Sequence, residues 1–190
     1  MGVRLLPKAI DAYSKKFPNV QLQVILADQY LDFTEDEIDL ALRVLSPQDS
    51  SLIARKLSSN PVSFYASPLY ITKNKIPKTV EDLKNHKVYC IGIHLKLKFL
   101  KSKMTLQNVI PQPSILCTNG DLLVELACQG HGILIRSEWG VEKEVNSGHL
   151  IKIELDDSLV SDSDIYLVYP KHKYTHPRIK ALIEILLKLF

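Results

Sequence analysis

The residues best placed to do chemistry are those able to hold an anion. Thr118-Asn119-Gly120-Asp121 stands between a short apolar run and a helix-periodic segment, the position of a loop that opens a helix. Backbone N–H groups at a helix N-terminus, with the positive end of the macrodipole, bind carboxylates and phosphates. Two readings of this loop are open: Thr118, Asn119 and Gly120 line a ligand site, or Thr118 or Asn119 caps the helix. Asp121 in the first turn works against an anion. Arg43 sits near the end of an alternating strand, where ligands of α/β proteins bind. Arg136, followed by Ser137, ends another strand. For each arginine the alternative is an ion pair with a nearby carboxylate, because a buried charge needs a partner. Ser67, at the point where the α/β rhythm restarts, is the sixth candidate.

Catalysis finds less support. Ser, His and Asp are present, but no G-x-S-x-G elbow occurs, and no H-E-x-x-H, glycine-rich phosphate loop or Cys/His ligand spacing either. His94, His131, His149, His172 and His176 are scattered over turns and strand ends and read as solvated. No catalytic residue, cofactor or metal is expected. Cys117 and Cys128 are either a redox pair or small side chains filling core.

These residues need elements to position them. Val3, Leu6, Ile10, Tyr13 and Phe17 recur at helical spacing, and Pro18 stops that helix. Residues 20–27 alternate apolar and polar and predict a strand. A short helix over 31–37 and a second alternating strand over 38–44 follow. Strands are expected over 52–57, 62–66, 88–93, 114–117, 133–136, 151–155 and 165–169. Helices are expected from Ser67-Pro68, from Thr79 with Asp82 as its capping answer, over 120–129 and 138–146, and from Pro177. Gly130-His131-Gly132 ends the helix that Gly120 begins. Helix and strand alternating with short connections argue a parallel sheet covered by helices.

The chain has 190 residues, 46% of them hydrophobic, enough for one large domain or two small ones. No apolar run reaches the roughly 20 residues of a membrane helix. The start carries no secretory signal, and three cysteines without a C-x-x-C pair suit reduced thiols, so a soluble cytoplasmic protein is expected. Net charge is only +3, too balanced for whole-surface contact with nucleic acid. It is unevenly placed: nine lysines stand against Glu81 and Asp82 over 73–103, and ten acidic against three basic residues over 104–169. These are two solvated faces of one domain, or complementary surfaces that meet across a dimer.

Eight segments fall in the order and spacing of a known family. They are Leu5-Leu6-Pro7, Phe17-Pro18-Asn19-Val20, Asp39-Leu40-Ala41-Leu42-Arg43-Val44 and Ser50-Ser51-Leu52-Ile53-Ala54-Arg55-Lys56-Leu57. The others are Ala66-Ser67-Pro68-Leu69-Tyr70, Thr79-Val80-Glu81-Asp82-Leu83-Lys84-Asn85-His86, Gly130-His131-Gly132-Ile133 and Tyr166-Leu167-Val168-Tyr169-Pro170. Together they resemble the effector-binding domain of LysR-type transcriptional regulators across nearly the whole chain. The resemblance implies two Rossmann-like subdomains joined by two crossover strands, as in type II periplasmic binding proteins. Subdomain one would hold 1–66 and 168–190, and subdomain two 67–167.

It also implies a non-enzymatic module that binds a small effector, a carboxylate or other anion, in the inter-subdomain cleft, with Thr118 and Asn119 facing that cleft. The module would form a homodimer and make no DNA or membrane contact by itself. The rival readings are a free-standing solute-binding protein and a truncated regulator that only dimerises. Two further expectations concern assembly. Leu5, Ala9 and Ala12 on the first helix, and Leu123 and Val124 on the Gly120 helix, would meet across a two-fold axis. The family's first strand, which lies between the strands over 20–27 and 38–44, has no counterpart here. The slot is therefore expected to be filled by another chain or closed by direct pairing.

Overall fold

The computed structural model describes residues 2–27, 32–33, 35–44, 51–160 and 164–189, and the account below concerns those. Along the chain run α1 (Gly2–Lys16), β1 (Ala41–Val44), β2 (Leu52–Ser58), β3 (Val62–Ala66), α2 (Pro68–Asn74), β4 (Val88–Cys90), β5 (Lys98–Phe99), α3 (Leu106–Val109) and β6 (Ile115–Leu116). There follow α4 (Gly120–Cys128), β7 (Ile133–Ser137), α5 (Glu142–Asn146), β8 (Ile151–Ile153), β9 (Leu159–Val160), β10 (Ile165–Pro170) and α6 (Pro177–Leu189). They make two units, Met1–Ser59 with Asp162–Phe190, and Asn60–Ser161.

In the first unit the helical spacing of α1 buries Ala9 and Tyr13, and α6 buries Ala181, Ile183 and Leu186. Their core partners Leu167 and Tyr169 come from β10. The sheet order is β1-β10-β2, and β10 is antiparallel to both neighbours. This corrects the expected parallel sheet. Consecutive β1 and β2 do point the same way, but β10 enters from the far end of the chain and separates them.

Residues 20–27 form no strand: they have no ladder partner among the described residues, and Val24, Ile25 and Leu26 are about half exposed. Alternation makes a strand only where an edge accepts its backbone groups. Direct pairing with β1 therefore does not occur. Within 31–37, Leu31 and Thr34 lie outside the described residues. Asp32, Phe33 and Asp36 make a turn, in which Asp36 N–H donates to the Asp32 carbonyl at 3.2 Å.

The second unit carries a five-stranded sheet of order β6-β4-β7-β3-β8. Strands β6, β4 and β7 are parallel, while β3 runs antiparallel to β7 and β8. Period-two alternation sorts the strand residues into two layers. Val62, Phe64, Val88, Cys90, Ile133 and Ile135 face a core completed by Leu83, Phe99 and Leu106. Tyr65, Tyr89 and Leu134 face the other core, filled by Leu123, Val124 and Ala127 of α4. Each fully buried aliphatic side chain contributes about 1.5–3 kcal/mol.

Three expectations change here. Strand β3, assigned to subdomain one, belongs to the second unit because its ladder bonds go to β7 and β8, so the break falls at Ser59 rather than at 66. All of β10 belongs to the first unit, which moves the return crossing from 167 to before Ile165. Of the residues named for a dimer, Ala9, Leu123 and Val124 are essentially fully buried within their own units, Ala12 is half-buried, and the Leu5 side chain lies outside the described residues. Exposed instead are Leu116 of β6 and Leu122 of α4.

Candidate functional site

Because β6, β4 and β7 are parallel, the loops after their C-terminal ends come out along one edge of the second unit's sheet. These loops carry Thr118 and Asn119, then His94, then Trp139, with Arg136 and Ser137 the last two residues of β7 itself. Ligands of open α/β sheets bind at this edge.

Asn119 is the N-cap of α4, and its Oδ1 accepts from the Asp121 and Leu122 N–H groups at 3.0 Å each. Of the two readings, the capping role is thus made by Asn119, not Thr118. Thr118 and Asn119 are exposed, while Gly120 is buried. Arg136 explains why. Its guanidinium lies on the face of Gly120 where a side chain would stand, so that an added Cβ would collide with it. A Cβ on Gly140 would come within 2.9 Å of Arg136 Nε. The Trp139 ring is 5.6 Å from the Arg136 Cζ, and its Nε1–H donates to Asn60 Oδ1 at 2.6 Å. Two glycines and an aromatic face thus form a slot that holds a guanidinium only 6% exposed at the start of α4.

His94 joins this edge from the 3-10 turn Gly92–Lys96 and is also 6% exposed. Burial, followed by the charge of Arg136, pulls its pKa down to about 4. The ring is therefore neutral at pH 7. Its Nδ1 is buried with no hydrogen-bond partner. Read from the sequence, His94 looked like one more solvated turn histidine. Its position after a strand parallel to the one ending at Arg136 was the available signal. Trp139 and Asn60 carried no signal.

The other candidates lie elsewhere. Ser67 follows β3, which is antiparallel to β7, and therefore sits at the opposite sheet edge from Arg136. Its Oγ caps α2 by accepting the Tyr70 N–H at 3.3 Å, and it is 2% exposed. A ligand contact by Ser67 at this edge is thereby excluded by strand direction. Arg43 belongs to the first unit, where its guanidinium lies 4.8 Å from the Phe33 ring centroid. Cys117 and Cys128 pack against the core beside α4, the filling role, and the Cys117 Sγ accepts the Asn119 N–H at 3.3 Å. A pocket of about 270 Å³ between Leu83, His86, Val88 and Ile110 lies at the other edge, where β4 begins, and gathers no buried charge. Among the described residues no three potential metal ligands converge, and no helix is long and apolar enough to cross a membrane.

Two α/β units, the second with a buried cation at the C-terminal edge of its parallel strands, place the protein in the class of open α/β sheet proteins. The LysR substrate binding domain model matches residues 1–190, and the chain belongs to that family. An HTH-type transcriptional regulator of Haemophilus influenzae is 28% identical over 176 residues, which cover 91% of this chain and 60% of that protein. The HTH-type transcriptional regulator DmlR of Escherichia coli is 25% identical over 194 residues, covering 100% and 62%. The chain thus spans about 60% of the length of these curated relatives. Among solved structures, the CrgA regulatory domain of Neisseria meningitidis superposes with a TM-score of 0.84 at 24% identity, covering 99% of this chain and 93% of that one. The regulatory domain of AphB from Vibrio vulnificus gives 0.79 at 26%, covering 98% and 93%. These are transcriptional regulators, not enzymes, and the fold is that of their regulatory domains.

Proposed function

We propose that this domain senses a small anionic metabolite, a carboxylate in the simplest case, and passes the signal to transcription through a homodimer. The observation that carries the reading is the Arg136 guanidinium, buried in a slot of two glycines and a tryptophan and resting on the first residue of α4. Guanidinium and helix N-terminus together place positive potential at one position, which suits a carboxylate. Thr118 and Asn119 flank that position from the exposed side and are the adjoining contacts. Asp121 lies in the same first turn and tempers the attraction, which favours a singly charged group at this point. DNA reading is assigned to a part of the regulator outside this domain.

Thermal-shift screening of metabolite carboxylates tests the reading, because a ligand at 100 times its dissociation constant adds about 2.7 kcal/mol of stability. The stabilising acid is expected to lose its effect in Arg136→Gln, while amidated or esterified analogues lacking the charge have none in the wild type. Equal stabilisation of wild type and Arg136→Gln by every hit would remove Arg136 from the site.

A further inference from the structure

The pocket of about 270 Å³ at the edge where β4 begins has an apolar floor and a polar mouth. Leu83 from the 3-10 turn Glu81–Asn85, Val88 at the start of β4, and Val109 and Ile110 at the end of α3 make the floor, and all four are buried. Water over such a floor finds no hydrogen-bond partner in it, so an apolar body that displaces the water is favoured. Lys84, His86 and Ser114 stand at the mouth, with Lys84 and Ser114 exposed. The His86 ring is held by Tyr70, whose hydroxyl lies 3.0 Å from its Nδ1. Burial lowers the His86 pKa below the ordinary 6.5, so the ring is neutral at pH 7.

The charge at the mouth has one sign. None of the described residues lining the pocket is acidic, and Lys84 is their only cation at neutral pH. Asp82, two residues before Lys84, turns its carboxylate to the Lys78 and Thr79 N–H groups at 2.9 Å each. From this we propose that the pocket takes a small amphipathic monocarboxylate, its apolar body on the aliphatic floor and its carboxylate at the mouth against the Lys84 ammonium. Lysine suits that place, because its charge rides on a flexible stem that can follow the ligand. Size bounds the ligand as well: pockets for drug-sized molecules begin at roughly 300 Å³, so this one holds a single ring or a short chain. The pocket lies at the start of β4, while Arg136 stands at the end of β7, parallel to β4. The two sites are therefore at opposite edges of one sheet, and this one does not depend on the anion reading above.

Calorimetric titration of the full chain with acetate, butyrate and hexanoate tests the floor, and hexanamide and hexylamine test the mouth. Affinity is expected to rise about tenfold or more from acetate to hexanoate, since each buried methylene gives up to about fourfold. Hexanoate is expected to bind about threefold tighter than hexanamide, the strength of an exposed charge pair, and to lose that preference in Lys84→Gln. Ser114→Trp, at an exposed position, closes the mouth and should weaken hexanoate about tenfold, whereas Arg136→Gln leaves it unchanged. Acetate binding as tightly as hexanoate, or no hexanoate binding at millimolar concentration, would overturn the proposal. Hexanamide or hexylamine matching hexanoate in the wild type, or a carboxylate preference that survives in Lys84→Gln, would do the same. So would hexanoate binding that is indifferent to Ser114→Trp or lost in Arg136→Gln, because the acid would then sit elsewhere.

Discussion

Arg136 owes its place to two residues that have no side chains. The guanidinium fills the space a Cβ would take at Gly120, and its Cγ lies 3.1 Å from where a Cβ of Gly140 would be. Gly120→Ala therefore forces the guanidinium out of its slot. We expect a loss of about 1–3 kcal/mol, the usual range for overpacking, measured by urea unfolding, together with loss of carboxylate binding. Unchanged affinity in Gly120→Ala would mean that the observed seat of Arg136 is not the binding one. His94 makes a second residue-scale prediction. Its folded pKa of about 4 lies below the ordinary 6.5, so the unfolded chain takes up a proton that the folded one refuses. The stability it contributes is complete above pH 6.5 and is lost as pH falls towards 4, by up to roughly 1.4 kcal/mol per pH unit. Comparing wild type with His94→Phe at pH 7 and pH 5 should isolate a difference of about 2 kcal/mol in that direction. Parallel pH profiles for the two proteins would refute it.

At the scale of elements, Ser67 and Asn119 do the same job at opposite sheet edges. Each accepts N–H groups from the first turn of the helix it opens. Ser67→Ala should cost about 1 kcal/mol through loss of the α2 cap and leave acid binding intact. A weakened affinity would return Ser67 to the ligand. Helix ends of this kind were legible in the sequence because they depend on local chemistry. Asn119 before Gly120, the reciprocal Thr79 and Asp82 bonds at 2.9 and 3.3 Å, and Gly130 at φ 80° all follow from neighbours in the chain. What needed distant partners was less legible. Residues 20–27 carry a strand pattern but no strand, since their partner edge is not supplied within the described residues. The seat of Arg136 joins Gly120 and Gly140 to a side chain 16 and 4 residues away, and no spacing rule connects them. The acidic and basic runs were visible as counts, whereas only the fold shows that α4 and α5 pack on one layer and that Asp156 and Asp157 of the same acidic run bond the lysine-bearing stretch.

That placement decides how whole molecules can pair. The lysine-bearing stretch supplies Val80, Leu83 and Phe99 to one layer of the second unit's core, and the acidic helices α4 and α5 pack on the other layer through Leu123, Val124 and Val145. All nine lysines of 73–103 are exposed. The lysine face and the acidic helices α4 and α5 lie on different layers, while Asp156 and Asp157 of the acidic run accept from the Val80, Lys101 and Ser102 N–H groups on the lysine side. Those two charged faces therefore do not meet their complements in the plane of a single two-fold interface. Joined head to tail they would generate an open series rather than a closed dimer. A homodimer of this domain must then draw on apolar surface, and with Ala9, Leu123 and Val124 spent on their own cores, Leu116 and Leu122 at 55% and 52% exposure are what remains beside α4. Mass action makes the consequence measurable, because a dimer that stabilises its subunits melts higher as protein concentration rises. We expect that rise for the wild type and expect it to persist in 0.5 M salt, where charge pairing between surfaces is screened beyond about 4 Å. Leu122→Glu should abolish the concentration dependence with little change in the monomer's own stability, as an exposed position allows. A dimer that dissociates in salt, or one indifferent to Leu122→Glu, would hand the interface back to the charged layers.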